Sequence, residues 1–453
     1  MKLEYLRKEE SSRRLILIIG GWNTTPAFYG SITPREGWDL AVAYDMEKLT
    51  PLELPERYST IYLYAWSFGV VAAEHVADSR RITEAFAVSG TPEGIGNKGI
   101  PEPIFKGTRD SLSQQSLMKF RKRMLGGLDK QTTGLLMELL PPQPDIEQLK
   151  RQLDSIDSIP KLHNITWRRA YIGRDDRIIP ADAQLRSWSS HPSRPQIVEC
   201  GCGHYMDLGE IIESTTPDTE KTAYCFSLSR ATYGIRATAQ SHFARKLVEK
   251  LSRIGINPRR ILEIGNGIGT LSRMIASLWP DAEATFVDLC PTAPYGIFAK
   301  EEYITADAEE WLEEARGKWD LIVSSSAIQW FANPRTFYRN ASRLMSKGGV
   351  MGCTIFTAGT LRELDAARPS PLHYHSGEQL AEMAGEWFED RDWEEEEYVM
   401  HFGSAREALL HLRDTGVKGG RSANLSALLK ALREPRLSYR ATIETGRKSN
   451  FSE

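Results

Sequence analysis

Apolar positions in the first half of the chain come in short unbroken runs rather than in strict alternation. Leu15–Gly21, Trp38–Asp45, Thr60–Trp66, Glu84–Gly90, Trp167–Gly173 and Pro195–Gly201 read as strands, several of them continuous Val/Ile/Leu/Tyr/Ala segments of the kind buried on both faces. Helical stretches separate them, which predicts α/β architecture with a parallel, doubly wound sheet. The segment between the fourth and fifth strands, about 91–166, is unusually long. Leu112, Leu117, Phe120 and Met124 recur there at helical spacing, and Pro141-Pro-Gln-Pro144 interrupts the pattern. A helical cap over the carboxyl ends of the strands is expected, where open α/β sheets bind ligands.

Around Ser214-Thr-Thr-Pro-Asp-Thr-Glu-Lys-Thr222 the chain turns polar and loses periodicity, as a linker does. A second α/β pattern follows, with strands at Arg260–Gly265, Ala284–Asp288, Leu321–Ser325 and Val350–Phe356 and helices such as Gln240–Arg253 and Thr336–Met345. The expected division is a first domain at 1–212, a linker at 213–223 and a second domain at 224–453, with no internal repeat. A length of 453 residues accommodates that. The net charge of −3 gives no sign of a nucleic-acid partner. The opening ten residues are charged throughout and lack the apolar core of a signal peptide, and no apolar stretch approaches the roughly 20 residues of a membrane span. Five cysteines without a disulfide pattern fit a reducing compartment, so a cytoplasmic location is expected, with oligomeric state left open.

Tyr62-Leu-Tyr-Ala-Trp-Ser-Phe-Gly-Val70 nearly spells G-x-S-x-G, a strand-to-helix turn that projects a nucleophilic serine from the sheet, although Ala65 stands where the first glycine belongs. Alone the pattern is weak, because a serine ending a strand looks the same. Partners follow in the order such a hydrolase needs: Tyr171-Ile-Gly-Arg-Asp-Asp-Arg-Ile-Ile-Pro180 after one strand, and Gly201-Cys-Gly-His204 after the next. Asp175 and Asp176 are adjacent; the spacing to Ile179-Pro180 selects Asp176, with Asp175 the alternative. Ser67, Asp176 and His204 are then nucleophile, orienting acid and base. An oxyanion needs two preorganised N–H donors. Phe68 supplies one, and Trp22, in the Gly20-Gly21-Trp22 turn after the first strand, the other. Cys200-x-Cys202-x-His204 lacks the fourth ligand of a structural zinc site, so no metal is expected.

With its W-S-F-G-V elbow and initial G-W turn, the stretch from 1 to about 210 resembles the carboxylesterases that hydrolyse the methyl ester of pimeloyl-[acyl-carrier protein] in biotin synthesis. That resemblance implies an α/β-hydrolase with a helical cap and no cofactor.

In the second half, Ile261-Leu-Glu-Ile-Gly-Asn-Gly-Ile-Gly-Thr270 lets backbone approach a ligand closely. Its glycine spacing departs from the dinucleotide G-x-G-x-x-G. With Glu263 two residues before Gly265, and with Asn266, Gly267 and Gly269, the loop resembles motif I of class I S-adenosylmethionine methyltransferases, which have a Rossmann-like fold. The resemblance implies that Asp288 accepts the ribose hydroxyls, that Asp307 faces the adenine, and that the strand ending at Ser325 lies beside the cofactor, with S-adenosylhomocysteine as product. Phe226–Gln240 and Ser326-Ala-Ile-Gln-Trp330 resemble the malonyl-[acyl-carrier protein] O-methyltransferases of the same pathway, as does Leu410-His-Leu-Arg-Asp-Thr-Gly-Val417. That likeness, over about 226 to 446, implies that Tyr233 covers the cofactor; a cysteine is usual where Asn266 stands.

Together the resemblances imply a bifunctional enzyme that methylates malonyl-[acyl-carrier protein] and later hydrolyses the pimeloyl methyl ester. The alternatives are a thioesterase fused to a small-carboxylate methyltransferase, or an inactive hydrolase-like module that docks the carrier protein. An acidic carrier protein predicts basic surface at the entrances. Lys119, Arg121, Lys122, Arg123, Arg168 and Arg169 are the candidates, each equally readable as a solvated face.

Overall fold

The computed structural model describes residues 1–365, 372–415 and 425–448. The chain divides into two compact units, Met1–Ser214 and Thr215–Glu453.

The first unit is built on seven strands: β1 (Lys2–Arg7), β2 (Arg14–Ile19), β3 (Trp38–Tyr44), β4 (Thr60–Trp66), β5 (Glu84–Val88), β6 (Arg169–Gly173) and β7 (Gln196–Cys200), in the order β1-β3-β2-β4-β5-β6-β7. From β3 to β7 every pairing is parallel. β1 is the exception, an antiparallel edge strand on β3. Its alternating Lys-Leu-Glu-Tyr-Leu-Arg leaves it half exposed, so it has no continuous apolar run to announce it. By contrast Leu15 to Ile19 in β2 are fully buried.

After β4 comes helix α1 (Gly69–Val76). Four helices lie between β5 and β6: α2 (Glu102–Asp110), α3 (Gln114–Met124), α4 (Lys130–Glu138) and α5 (Ile146–Ser158). Side chains of Ser113, Asp129 and Asp145 cap the last three of them, and the proline run separates α4 from α5. The return of this cap to the sheet is pinned by buried Glu74 of α1. Its carboxylate accepts from the N–H groups of Asn164 and Ile165 and, at 2.7 Å, from Trp167 Nε1. Helices α6 (Ala181–Ser189) and α7 (Leu208–Thr215) flank β7.

Residues 213–223 differ from an open linker. α7 runs to Thr215 and α8 (Thr219–Arg236) begins after only three intervening residues, with the Asp218 side chain accepting from Lys221 N at 2.9 Å. The polar Thr-Thr-Pro-Asp run is thus a helix start signal.

The second unit holds seven more strands: β8 (Arg260–Ile264), β9 (Glu283–Asp288), β10 (Lys300–Thr305), β11 (Trp319–Ser325), β12 (Met345–Phe356), β13 (Phe388–His401) and β14 (Arg436–Lys448), ordered β10-β9-β8-β11-β12-β14-β13. β8 to β12 pair in parallel, while β14 inserts antiparallel between β12 and β13. Helices α9 (Thr238–Arg253), α10 (Thr270–Ala276), α11 (Ala308–Glu314), α12 (Pro334–Leu344), α13 (Gly377–Gly385), α14 (Ala405–Asp414) and α15 (Leu425–Ala431) complete it. Its core forms two apolar clusters, one around Phe243, Leu247 and Leu321, the other around Ile322, Phe337 and Leu344. The reversal of strand order at β8 and β11 opens a crevice at their carboxyl ends.

Candidate functional site

In the first unit the β4–α1 turn holds Ser67 at φ 58°, in the left-handed region that non-glycine residues seldom adopt. Parallel pairing fixes the approach: Ser67 N donates to Val88 O at 2.9 Å, and Val70 N closes the turn onto Ser67 O at 3.1 Å. The turn demands glycine at position 69, because a Cβ there would lie 2.2 Å from Ile19 O. Ala65, buried between Ile19 and Ala87 in the sheet register, fits where the motif has glycine.

Ser67 Oγ lies 2.9 Å from His204 Nε2, and His204 Nδ1 lies 2.8 Å from Asp176 Oδ2. Asp176 also accepts from Ile178 N, Ile179 N and, at 2.9 Å, Gln184 Nε2, which locks its orientation. Asp175 is exposed. Gln184, fully buried on α6, is a supporting residue that the sequence does not reveal, since nothing in its spacing marks which face of α6 meets Asp176. Both ring nitrogens of His204 are engaged, so Cys200-x-Cys202-x-His204 has no imidazole nitrogen to give a metal.

The turn after β2 faces this centre. A Cβ on Gly21 would stand 3.3 Å from Ser67 Cβ, and the loop is braced by Gly21 N donating to Tyr29 Oη and by Thr24 Oγ1 donating to Gly21 O at 2.7 Å. Trp22 is buried, with Nε1 donating to Leu149 O of α5 at 3.1 Å and its ring edge-on to Phe120 of α3. The N–H groups of Trp22 and Phe68 have no acceptor among the described residues. Such an arrangement can take a serine proton and hold an oxyanion.

Three of the basic residues expected at a docking surface are turned inward. Arg121 is 2% exposed; Arg169 is buried with Nε donating to Gln196 Oε1, and the Arg168 side chain lies over Phe86 near Glu84. Helical charge spacing does not say which face packs. Lys119, Lys122 and Arg123 are exposed.

In the second unit the β8–α10 loop places Gly265, Gly267 and Gly269 at φ 72°, 54° and 82°, all left-handed. Asp288, ending β9, accepts from Gly267 N and Cys290 N, each at 2.8 Å. Beneath the loop Glu263 is 3% exposed, and burial, aided by the facing Asp288, pushes its carboxyl up to about 8. Burial also raises Asp288. Asn266 is held by Tyr295 Oη at 2.8 Å, a contact from the β9–β10 loop that no motif announces.

Tyr233 of α8 is brought near Asp288, and Arg230 reaches Pro291 O. Phe226 packs edge-on against Trp330, with ring centroids 5.3 Å apart, so α8 spans the ends of β9 and β11. Ser325 pairs with Thr354 through their hydroxyls at 2.9 Å, and Asp307 caps α11 by accepting from Glu309 N. Thr415 closes α14 onto His411 O; Gly416 and Val417 of the late helix-turn lie outside the described residues.

These residues fit S-adenosylmethionine. A Cβ on Gly267 would meet nothing, so the loop has an open side. Buried Asn266 Oδ1, Ser326 Oγ and Gln329 Oε1 around it have no partner among the described residues. The acids at Glu263 and Asp288 suit a cationic ligand bearing ribose hydroxyls.

The pimeloyl-ACP methyl esterase BioG family matches residues 1–209, and a methyltransferase domain family matches residues 236–416. A malonyl-[acyl-carrier protein] O-methyltransferase of Bacteroides fragilis is 30% identical over 433 residues, covering 91% of this chain and 85% of the relative. Another, from Porphyromonas gingivalis, is 30% identical over 211 residues, 46% of this chain and 82% of that one. The crystal structure of BioG from Haemophilus influenzae is similar at 30% identity, covering 46% of this chain and 94% of that chain with a TM-score of 0.41. The chain belongs to the malonyl-[acyl-carrier protein] O-methyltransferase family, as an S-adenosylmethionine-dependent methyltransferase preceded by a BioG domain.

Proposed function

We propose that the chain is a bifunctional cytoplasmic enzyme of biotin synthesis: its second unit methylates the free carboxylate of malonyl-[acyl-carrier protein], and its first hydrolyses pimeloyl-[acyl-carrier protein] methyl ester. The observation that carries this reading is the unbroken Ser67–His204–Asp176 hydrogen-bond chain, joined to a methyltransferase whose relatives are named for malonyl-[acyl-carrier protein]. His204 Nε2 removes the Ser67 proton as Oγ attacks the ester carbonyl, and Asp176 orients the imidazolium that forms. The N–H groups of Trp22 and Phe68 take the oxyanion. His204 then returns the proton to the departing methoxide, methanol leaves, and water frees the acid by the same steps in reverse.

S-adenosylmethionine, when bound, supplies an activated methyl group. Asp288 holds the ribose, Asp307 faces the adenine, and Gly265 to Gly269 with Ser325 shape the cleft. Phe226, Tyr233 and Trp330 exclude water where sulfonium and carboxylate charges cancel. The acceptor carboxylate is already ionised, so positioning the reacting atoms about 3–3.5 Å apart replaces general-base help. Lys119, Lys122 and Arg123 are the remaining candidates to meet an acidic carrier protein.

Incubating the whole chain with labelled S-adenosylmethionine and malonyl-[acyl-carrier protein] should place label on the thioester-linked acid. Hydrolysis of methyl pimeloyl-[acyl-carrier protein] should fall about 10⁴-fold or more in Ser67→Ala. Equal rates in the two proteins would end the serine-esterase reading.

A further inference from the structure

Arg121, in the last turn of α3, is a cation with nowhere to put its charge. It is 2% exposed and forms no ion pair among the described residues, where the one hydrogen bond of its side chain runs from Nη2 to Asn23 Oδ1 at 3.0 Å. Its buried Nε has no partner among the described residues, and neither has buried Nδ2 of Asn23, itself 6% exposed. Burial pulls the guanidinium below its ordinary value, with no neighbouring acid to oppose the shift.

Burying an unpaired charge is costly, and the negative end of α3 offsets only a small part of that cost. A leucine or methionine would fill the same space without that penalty. The placement is specific as well. Asn23 follows Trp22 in the turn that faces Ser67, and Phe120, the neighbour of Arg121, packs on the Trp22 ring. Two unused donors and one positive charge therefore belong to residues next in sequence to Trp22 and to the ring it packs on, and the unused groups offer protons and no lone pair, which selects an anion.

We propose that Arg121 and Asn23 form a carboxylate-binding subsite that holds the acid produced at Ser67 and favours the negative charge that precedes it. The carboxylate's origin rests on the esterase reading. The donor set itself does not. The same field explains why a buried arginine belongs on a cap helix: a neutral ester enters, and an anion is what the site must stabilise.

The test uses the whole chain as Ser67→Ala, so that no turnover interferes, and titrates heptanoate and its neutral counterpart heptanamide by calorimetry. Heptanoate should bind about tenfold or more tightly than heptanamide. Adding Arg121→Gln, which keeps a hydrogen-bond donor for Asn23 but removes the charge, should abolish that preference, and Arg121→Lys should restore part of it. Asn23→Asp gives Arg121 an internal counter-ion; it should raise the melting temperature and also abolish the preference, which keeps the test valid if Arg121→Gln folds poorly. Equal affinity for acid and amide in the parent, or a preference that survives both Arg121→Gln and Asn23→Asp, overturns the subsite. Inorganic phosphate displacing heptanoate while heptanoate shows no advantage over heptanamide also overturns it. Failure of the esterase reading would appear elsewhere, as ester hydrolysis independent of Ser67.

Discussion

Glu263 shows how one side chain can report on cofactor binding. Its carboxyl, pushed up to about 8 by burial, carries a proton at neutral pH, and Asp288 beside it is raised as well. A cation bound against both acids favours their ionised forms and lowers both values. S-adenosylmethionine binding should therefore release protons below pH 8, and affinity should strengthen as pH rises from about 6 to about 8. Titration calorimetry in two buffers of different ionisation enthalpy reads the released proton directly. Glu263→Gln should remove most of the release; binding without proton release in the parent would mean that neither acid faces the cofactor. At this scale the sequence shows Ser67, Asp176 and His204, because their order along the chain follows strand order. Gln184, Asn23 and Tyr295 are hidden in it, since each meets its partner through a contact between separate loops or helices that no spacing encodes.

The cap shows the same limit at the level of elements. Its helices announce themselves by periodicity, but the segment that returns from them to the sheet is tied down by Glu74, which with His75 breaks the apolar run of α1. Glu74→Ala strands the N–H groups of Asn164 and Ile165 and the indole of Trp167, at a cost of about 3 kcal/mol or more if each lost acceptor counts at its usual minimum. Faster hydrogen exchange at 164–167 and a lower denaturation midpoint are expected; unchanged exchange would mean that the cap return is held by packing alone. Strands buried on both faces are legible in the chain, and β4 runs over the same residues as its apolar segment. Those that escape are of another kind. β1 is a half-exposed edge, and β13 carries Glu394-Glu-Glu-Glu397 across a half-exposed outer strand, so neither has the unbroken apolar run that betrays a central strand. β14 is largely buried, but its Thr442-Ile-Glu-Thr-Gly446 mixes polar residues into the pattern, and antiparallel insertion is not something periodicity specifies.

At the scale of the whole chain, each unit has its own seven-stranded sheet, and among the described residues no strand is shared between them. The residues proposed to hold S-adenosylmethionine, from Tyr233 to Ser325, all belong to the second unit, and the Ser67 centre belongs to the first. Ligand binding stabilises only the cooperative structure that holds the ligand. Scanning calorimetry of the intact chain should therefore resolve two transitions. S-adenosylmethionine at a hundredfold excess over its Kd should raise one of them by about 2.7 kcal/mol and leave the other in place. Gly267→Trp, which puts a large side chain into the open side of the loop at a left-handed position, should abolish that shift while leaving hydrolysis of methyl pimeloyl-[acyl-carrier protein] at its parental rate. Ser67→Ala should do the reverse, ending hydrolysis while the ligand-induced shift and methyl transfer persist. A single transition that moves as a whole with S-adenosylmethionine would mean that the two sheets unfold as one cooperative body, and the separate placement of the two chemistries would then not make them energetically independent.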